Sequence, residues 1–301
     1  MIYQADLNEV KFFLLNKLSS VLVPDKFSEL LYLLSELKDK QQPVALYMSF
    51  SKTVRLFGKN YIEYSAAESA QAGQIRKDWI PPSSIDKAIR LLLLLETPHI
   101  HPQQFYDILE NLFDTADVGE LVALYGALPV LPYPEQFIIR CTEGIRSNMG
   151  EVFEAIANNN PYPADFLNEE AFNQMVLKCL FVGKPLYLVV NLNERLNPKL
   201  AQMALDYANE RFAALRKVNP ELWQLVAPWT RPQDMHDIER IIWTGDDFDR
   251  QAAALLCSVS NLTEAKNFYA TSNYRQAIEK GDLTWHTLGV SAWQSNRLSA
   301  V

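Results

Sequence analysis

Asp237-Ile-Glu-Arg-Ile-Ile-Trp243, then Thr244-Gly-Asp-Asp247, then Phe248 through Ala252-Ala-Ala-Leu-Leu256, reads as two short amphipathic helices meeting at a tight corner. Apolar residues recur three and four apart on each side of that corner, the spacing that places them on one helical face. The rest of the chain follows the same pattern. Val10, Phe13, Leu14 and Lys17-Leu18 begin one stripe, and Phe27, Leu30, Leu31, Leu34 and Leu37 form another after Pro24. A third helix is expected over 45–57. Residues 58–83, rich in Ala, Ser and Gln and closed by Pro81-Pro82, are the least regular stretch. Ser84-Ile-Asp-Lys87 then opens a helix through five leucines, stopped by Pro98. Further helices are predicted over 102–114, 118–128, 134–148, 150–157, 168–182, 198–216, 235–244 and 247–259.

Only 10 of the 301 residues are Gly, and neither Asn-Gly nor Asp-Gly occurs. Nucleotide-binding α/β folds need Gly at strand-to-helix turns, and β-sandwiches need it at hairpins. The expected class is all-α: an α/α superhelix or layered helical bundle with HEAT-like helix pairs. Three regions are expected along one continuous domain: an N-terminal helical region over 1–98, a central one over 99–230, and a C-terminal HEAT-like hairpin and tail over 231–301.

The net charge of −8 argues against a nucleic-acid binder, which needs a basic stripe to displace counterions. No apolar run, the five leucines Leu91 to Leu95 included, approaches the roughly 20 residues of a membrane span. No basic start followed by an apolar stretch marks a signal peptide. Cys141, Cys179 and Cys257 are odd in number and far apart, the pattern of reduced thiols in a cytoplasmic protein.

Nucleophile elbows, glycine-rich phosphate loops, HExxH and CxxC are all absent from the sequence. His99 and His101 share a Pro-flanked loop with no third ligand nearby in sequence, so neither metal nor cofactor is expected. The unusual stretch is 129–182, where polar groups fall on apolar faces. On a helix over 134–148, Phe137, Ile138, Cys141 and Ile145 form the inner arc. Arg140 pairs with Glu143 on the opposite stripe, Arg146 lies between the two arcs, and Asn148 projects back to the apolar side. Helix 168–182 is apolar almost all round, which predicts a central position, with Asn173 and Lys178 as its exceptions. On helix 198–216, Arg211 falls in the inner stripe and calls for a carboxylate or a bound anion, with Glu143 and Glu154 as candidate partners. The Asn158-Asn-Asn-Pro-Tyr-Pro163 corner either caps neighbouring helices or presents Asn159 and Tyr162 to a ligand. Two readings of the cluster stand: a cleft for a polar or anionic ligand, or a buried network that fixes helix packing.

Leu131-Pro-Tyr-Pro-Glu135, Arg140-Cys-Thr-Glu-Gly-Ile-Arg-Ser-Asn148, Val152-Phe-Glu-Ala-Ile156, Asn159-Asn-Pro-Tyr-Pro163 and Phe172-Asn-Gln-Met-Val-Leu-Lys178 closely resemble the EboA family. Phe50-Ser, Arg55 and Gly58-Lys59 look like its N-terminal motif, and Ala208-Asn-Glu-Arg211 and Pro220-Glu-Leu-Trp223 like its later ones. The resemblance implies a place in bacterial clusters that make or move secondary metabolites. Their other members are a UbiA-like prenyltransferase, a TatD-like hydrolase, and proteins like dehydroquinate synthase and sugar isomerases. It implies a pathway and no mechanism. The expected role is a non-enzymatic scaffold or carrier for a cluster intermediate or a partner enzyme. The alternative is an enzyme with Glu143 or Glu154 as acid/base and Arg146, Lys178 and Arg211 clamping an anionic group. Partners are then other proteins of the cluster or a small metabolite.

Overall fold

The computed structural model describes residues 5–40, 42–98 and 101–298. Among them the fold is all-α and layered, with nineteen α-helices, short 3-10 turns and no strand. The chain divides into two compact units, one within residues 1–171 and one within 172–301.

The first unit holds α1 (Leu7–Val21), α2 (Pro24–Lys40), α3 (Pro43–Phe57), α4 (Ala66–Ile75), α5 (Ile85–Glu96), α6 (Pro102–Thr115), α7 (Val118–Ala127), α8 (Ile138–Arg146), α9 (Gly150–Ala157) and α10 (Tyr162–Phe166). At its centre is α5, packed against α1, α2, α3 and α7. From Ile85 to Leu95 every residue of α5 except Lys87 is buried. Each leucine buried there contributes about 1.5–3 kcal/mol. Such burial puts α5 under neighbours on every side, and the cations on it must be neutralised. Arg90 Nη1 meets Asp86 at 3.1 Å, Nη2 lies 3.7 Å from Glu120, and Nε donates to the Phe50 carbonyl at 3.2 Å. Glu120 also closes the capping box of α7, accepting from the Asp117 N–H at 3.0 Å.

The least regular stretch contains a helix after all. Ser65 and Glu68 form a capping box that starts α4, a signal that the Ala- and Gln-rich composition obscured. The helix expected over 134–148 is a 3-10 turn, Pro134–Phe137, followed by the shorter α8; Tyr133, at φ 55°, fixes the entry. Seen from α8, Asn148 is exposed beyond the Ser147 cap and does not return to the apolar side.

α11 (Glu169–Val182) spans the division between the units. It is not the all-round buried helix its composition predicts: Phe181 is 77% exposed and Val182 is exposed too. That position belongs to α5. The second unit continues with α12 (Leu192–Arg195), α13 (Pro198–Ala213), α14 (Trp223–Val226), α15 (Met235–Thr244), α16 (Asp247–Val259), α17 (Thr263–Thr271), α18 (Arg275–Lys280) and α19 (Trp285–Leu298). Here α16, with Ala252 to Cys257 buried, is the hub against which α14, α15, α17 and α19 pack. The helix expected over 198–216 ends at Ala213, and Leu215 beyond it is exposed at φ 54°.

Candidate functional site

A cleft of about 460 Å³ opens in the first unit. Ile80, Pro81, Pro82 and Ser83, in the loop between α4 and α5, form one wall. Lys87 and Leu91 of α5 form the next side, and Val122, Ala123, Gly126 and Ala127 of α7 the floor. Glu151, Glu154 and Ala155 come from α9, and Asn158 to Asn160 from the corner after it. A Cβ on Gly126 would meet nothing within 4 Å, so the floor lies open there.

The corner is held by its own amides. Asn160 Nδ2 donates to the Ala155 carbonyl at 2.9 Å and to Tyr125 at 3.1 Å, and its Oδ1 accepts from the Tyr162 N–H at 2.9 Å. Asn159 takes the left-handed conformation at φ 55°, which Asn tolerates better than branched residues, and its side chain is exposed at the cleft. Tyr162 is fully buried and donates to the Pro134 carbonyl at 2.5 Å, so it is not presented to a ligand. Burial raises its phenol above the ordinary range.

Of the ten residues singled out in the sequence, Glu154 and Asn159 line this cleft. Arg140, Glu143, Arg146 and Asn148 do not. Arg140 is gripped by α6: Nε donates to Glu110 at 3.0 Å, and Nη2 to the other Glu110 oxygen and to Asp114 at 3.0 Å. Glu143, the expected partner, stands 3.8 Å away and is mostly exposed. The Glu110 hydrogen bonds hold the Arg140 guanidinium above its usual range. Arg146 is exposed in the last turn of α8, where the helix dipole favours a cation.

Asn173, Lys178 and Arg211 belong to the second unit. Asn173 is fully buried and shares a reciprocal amide pair with Asn197, at 2.9 and 3.1 Å. Asn197 in turn caps α13 through the Leu200 N–H. Lys178 is half-buried, and the loss of solvent lowers its ammonium. Arg211 is only half-buried, and Nε and Nη2 donate to the Lys217 carbonyl at 3.0 and 2.7 Å. The chain folds back after Ala213 and brings that carbonyl to it, so no buried carboxylate is needed.

Among the described residues, the buried cations are Arg90, described above, and Arg76. Arg76, 1% exposed, donates to the carbonyls of Lys77 at 2.6 Å and Pro129 at 3.3 Å and to Asp165. Glu221 is a buried acid, 3% exposed, which accepts from the Tyr187 N–H at 2.7 Å. Burial pushes its carboxyl up to about 7. Gly289 leaves the space: a Cβ there would stand 2.6 Å from Glu221 Oε1. Lys87 and Glu151 are cleft residues that the sequence reading passed over. The signal for Lys87 was a cation in the first turn of α5, and for Glu151 its i,i+3 relation to Glu154.

Among the described residues, no group of three or more His, Cys, Asp or Glu side chains could hold a metal ion. His99 lies outside the described residues, and His101 is exposed at the start of α6. All three cysteines are buried thiols. No helix among the described residues is long and apolar enough to cross a membrane.

Comparison with protein families matches residues 10–227 to one described as metabolite traffic protein EboA. The chain belongs to the EboA family. The matched span takes in every residue lining the cleft and all ten residues named above. Only α15 to α19 lie wholly beyond it, so the EboA portion includes the whole first unit from Val10 onward and the second as far as Ala227. No curated protein and no solved structure matches the chain.

Proposed function

We propose that this EboA-family chain is a cytoplasmic carrier that handles a small intermediate of a secondary-metabolite cluster, and that the intermediate sits in the cleft of the first unit. The observation that carries the reading is the cleft itself: about 460 Å³, with apolar, amide and charged walls and an open floor at Gly126. Ligand pockets of a few hundred cubic ångströms with a few polar groups on apolar walls are the usual form of a small-molecule site. The family's description as a metabolite traffic protein agrees with it. The exposed Phe181 on α11 and the HEAT-like pairing of α15 with α16 leave room for a partner enzyme of the cluster as well.

Gly126→Phe tests the reading. The new ring enters the cleft, where nothing stands within 4 Å of the added Cβ, so the fold should tolerate it. Native mass spectrometry of wild-type protein from a host carrying the rest of the cluster should show an excess mass over the denatured chain, absent from Gly126→Phe. An apo mass for both proteins would overturn the carrier reading.

A further inference from the structure

The charges around the cleft point to the chemistry of its occupant. Lys87 is the one residue between Ile85 and Leu95 that escapes burial, and it opens on the cleft. It stands in the first turn of α5, where the helix dipole disfavours a cation. Among the described residues it makes no ion pair. Glu96, the other partly exposed charge of α5, is by contrast matched by Lys11 at 3.2 Å. Glu151 and Glu154 line another wall, three residues apart and so on one face of α9. Glu151 is exposed and makes no ion pair among the described residues either. Opposite charges therefore face one cavity without meeting each other. Ala123, Gly126 and Ala127 of α7, with Ala155 and Leu91, give that cavity an apolar surface.

We propose that the cleft takes an amphoteric metabolite, its ammonium group against Glu151 and Glu154, its carboxylate on Lys87 and an apolar body over α7. The proposal rests on the carrier reading and names its substrate class. An anion alone would leave two carboxylates facing it, and a cation alone would leave the Lys87 ammonium without a partner. A ligand carrying both charges gives Lys87 and Glu151 a partner in one pose, with Glu154 beside Glu151, and the amide of Asn159 adds a donor and an acceptor at the rim.

The test uses three probes that share one phenyl ring: phenylalanine with both charges, phenethylamine with the cation only, and 3-phenylpropionate with the anion only. Calorimetric titration of the full chain, after release of any co-purified metabolite, should show phenylalanine binding at least about tenfold more tightly than either analogue. Lys87→Gln should bring its affinity down to that of phenethylamine, and Glu151→Gln to that of 3-phenylpropionate. Both side chains are solvent-accessible, so unchanged circular dichroism and melting temperature establish that the variants fold. Equal binding of the three probes, or no binding of phenylalanine at millimolar concentration, overturns the amphoteric assignment. If Gly126→Phe still removes a co-purified metabolite in that case, the carrier reading survives and the substrate class falls. If the wild-type chain carries nothing and binds no probe, both fall.

Discussion

Arg90 and Arg211 show how a guanidinium's surroundings set its contribution to stability. Arg90 is 2% exposed and neutralises Asp86 and Glu120, two carboxylates that are themselves buried. Arg90→Ala should cost about 3–5 kcal/mol in urea unfolding, because it strands both acids. Arg211 is half-buried and bonds one backbone carbonyl, so Arg211→Ala should cost about 1 kcal/mol or less. A larger measured loss for Arg211→Ala than for Arg90→Ala would contradict this assignment. Glu221 adds a pH signature. Its folded carboxyl lies near 7 against an ordinary 4.5, because burial outweighs the backbone N–H donors of Tyr187 and Leu186. Between those two values the folded chain holds a proton that the unfolded chain has lost, so this group's stabilisation falls as pH rises from 4.5 to about 7. Glu221→Gln should remove about 2–3 kcal/mol of the stability difference between pH 4.5 and pH 8. Identical pH profiles for the two proteins would rule out Glu221 as the source.

Two glycines make the helix packing of the first unit testable. Gly144 of α8 is buried where a Cβ would stand 2.6 Å from Ile156 Cδ1 and 2.6 Å from the Tyr125 ring. Gly144→Ala should therefore cost about 1–3 kcal/mol, by pushing α8 off α7 and α9. Gly126→Ala places its methyl in the open cleft and should stabilise by up to about 1 kcal/mol, the helix-propensity gain alone. Thermal melts of the two variants should move in opposite directions. The contrast between α5 and α11 has the same origin. Both are rich in large apolar residues, but α5 has helices of the first unit on every side, while α11 leaves Phe181 and Val182 to solvent. Hydrogen exchange should accordingly be slowest along α5.

The chain as a whole carries a net charge of −8, with its charges sorted into local networks: Arg140 with Glu110 and Asp114, Arg76 with Asp165, Lys17 with Glu68. The binding proposed above draws on one unit only. Phenylalanine at about a hundred times its Kd should add about 2.7 kcal/mol to unfolding of the first unit. Exchange should slow on α5, α7 and α9 and stay the same on α15 to α17. Uniform slowing over both units, or slowing that persists in Gly126→Phe, would place the binding elsewhere.

The all-α class, the positions of α5, α7, α9, α15 and α16, and membership of the EboA family were legible in the residues alone. Helical periodicity, proline stops and capping residues are local signals, and they act within a few positions of chain. The short α4 escaped because its apolar stripe is weak. Of the residues that line the cleft, Glu154 and Asn159 stand out in the sequence, whereas Lys87 and Glu151 do not. Which polar residue on an apolar face is buried, and which opens on a cleft, depends on what packs over that face. Asn173 meets Asn197 twenty-four residues away, and Arg140 meets Glu110 thirty residues away. Those partners arrive through tertiary packing, and nothing in the spacing along a single helix encodes them.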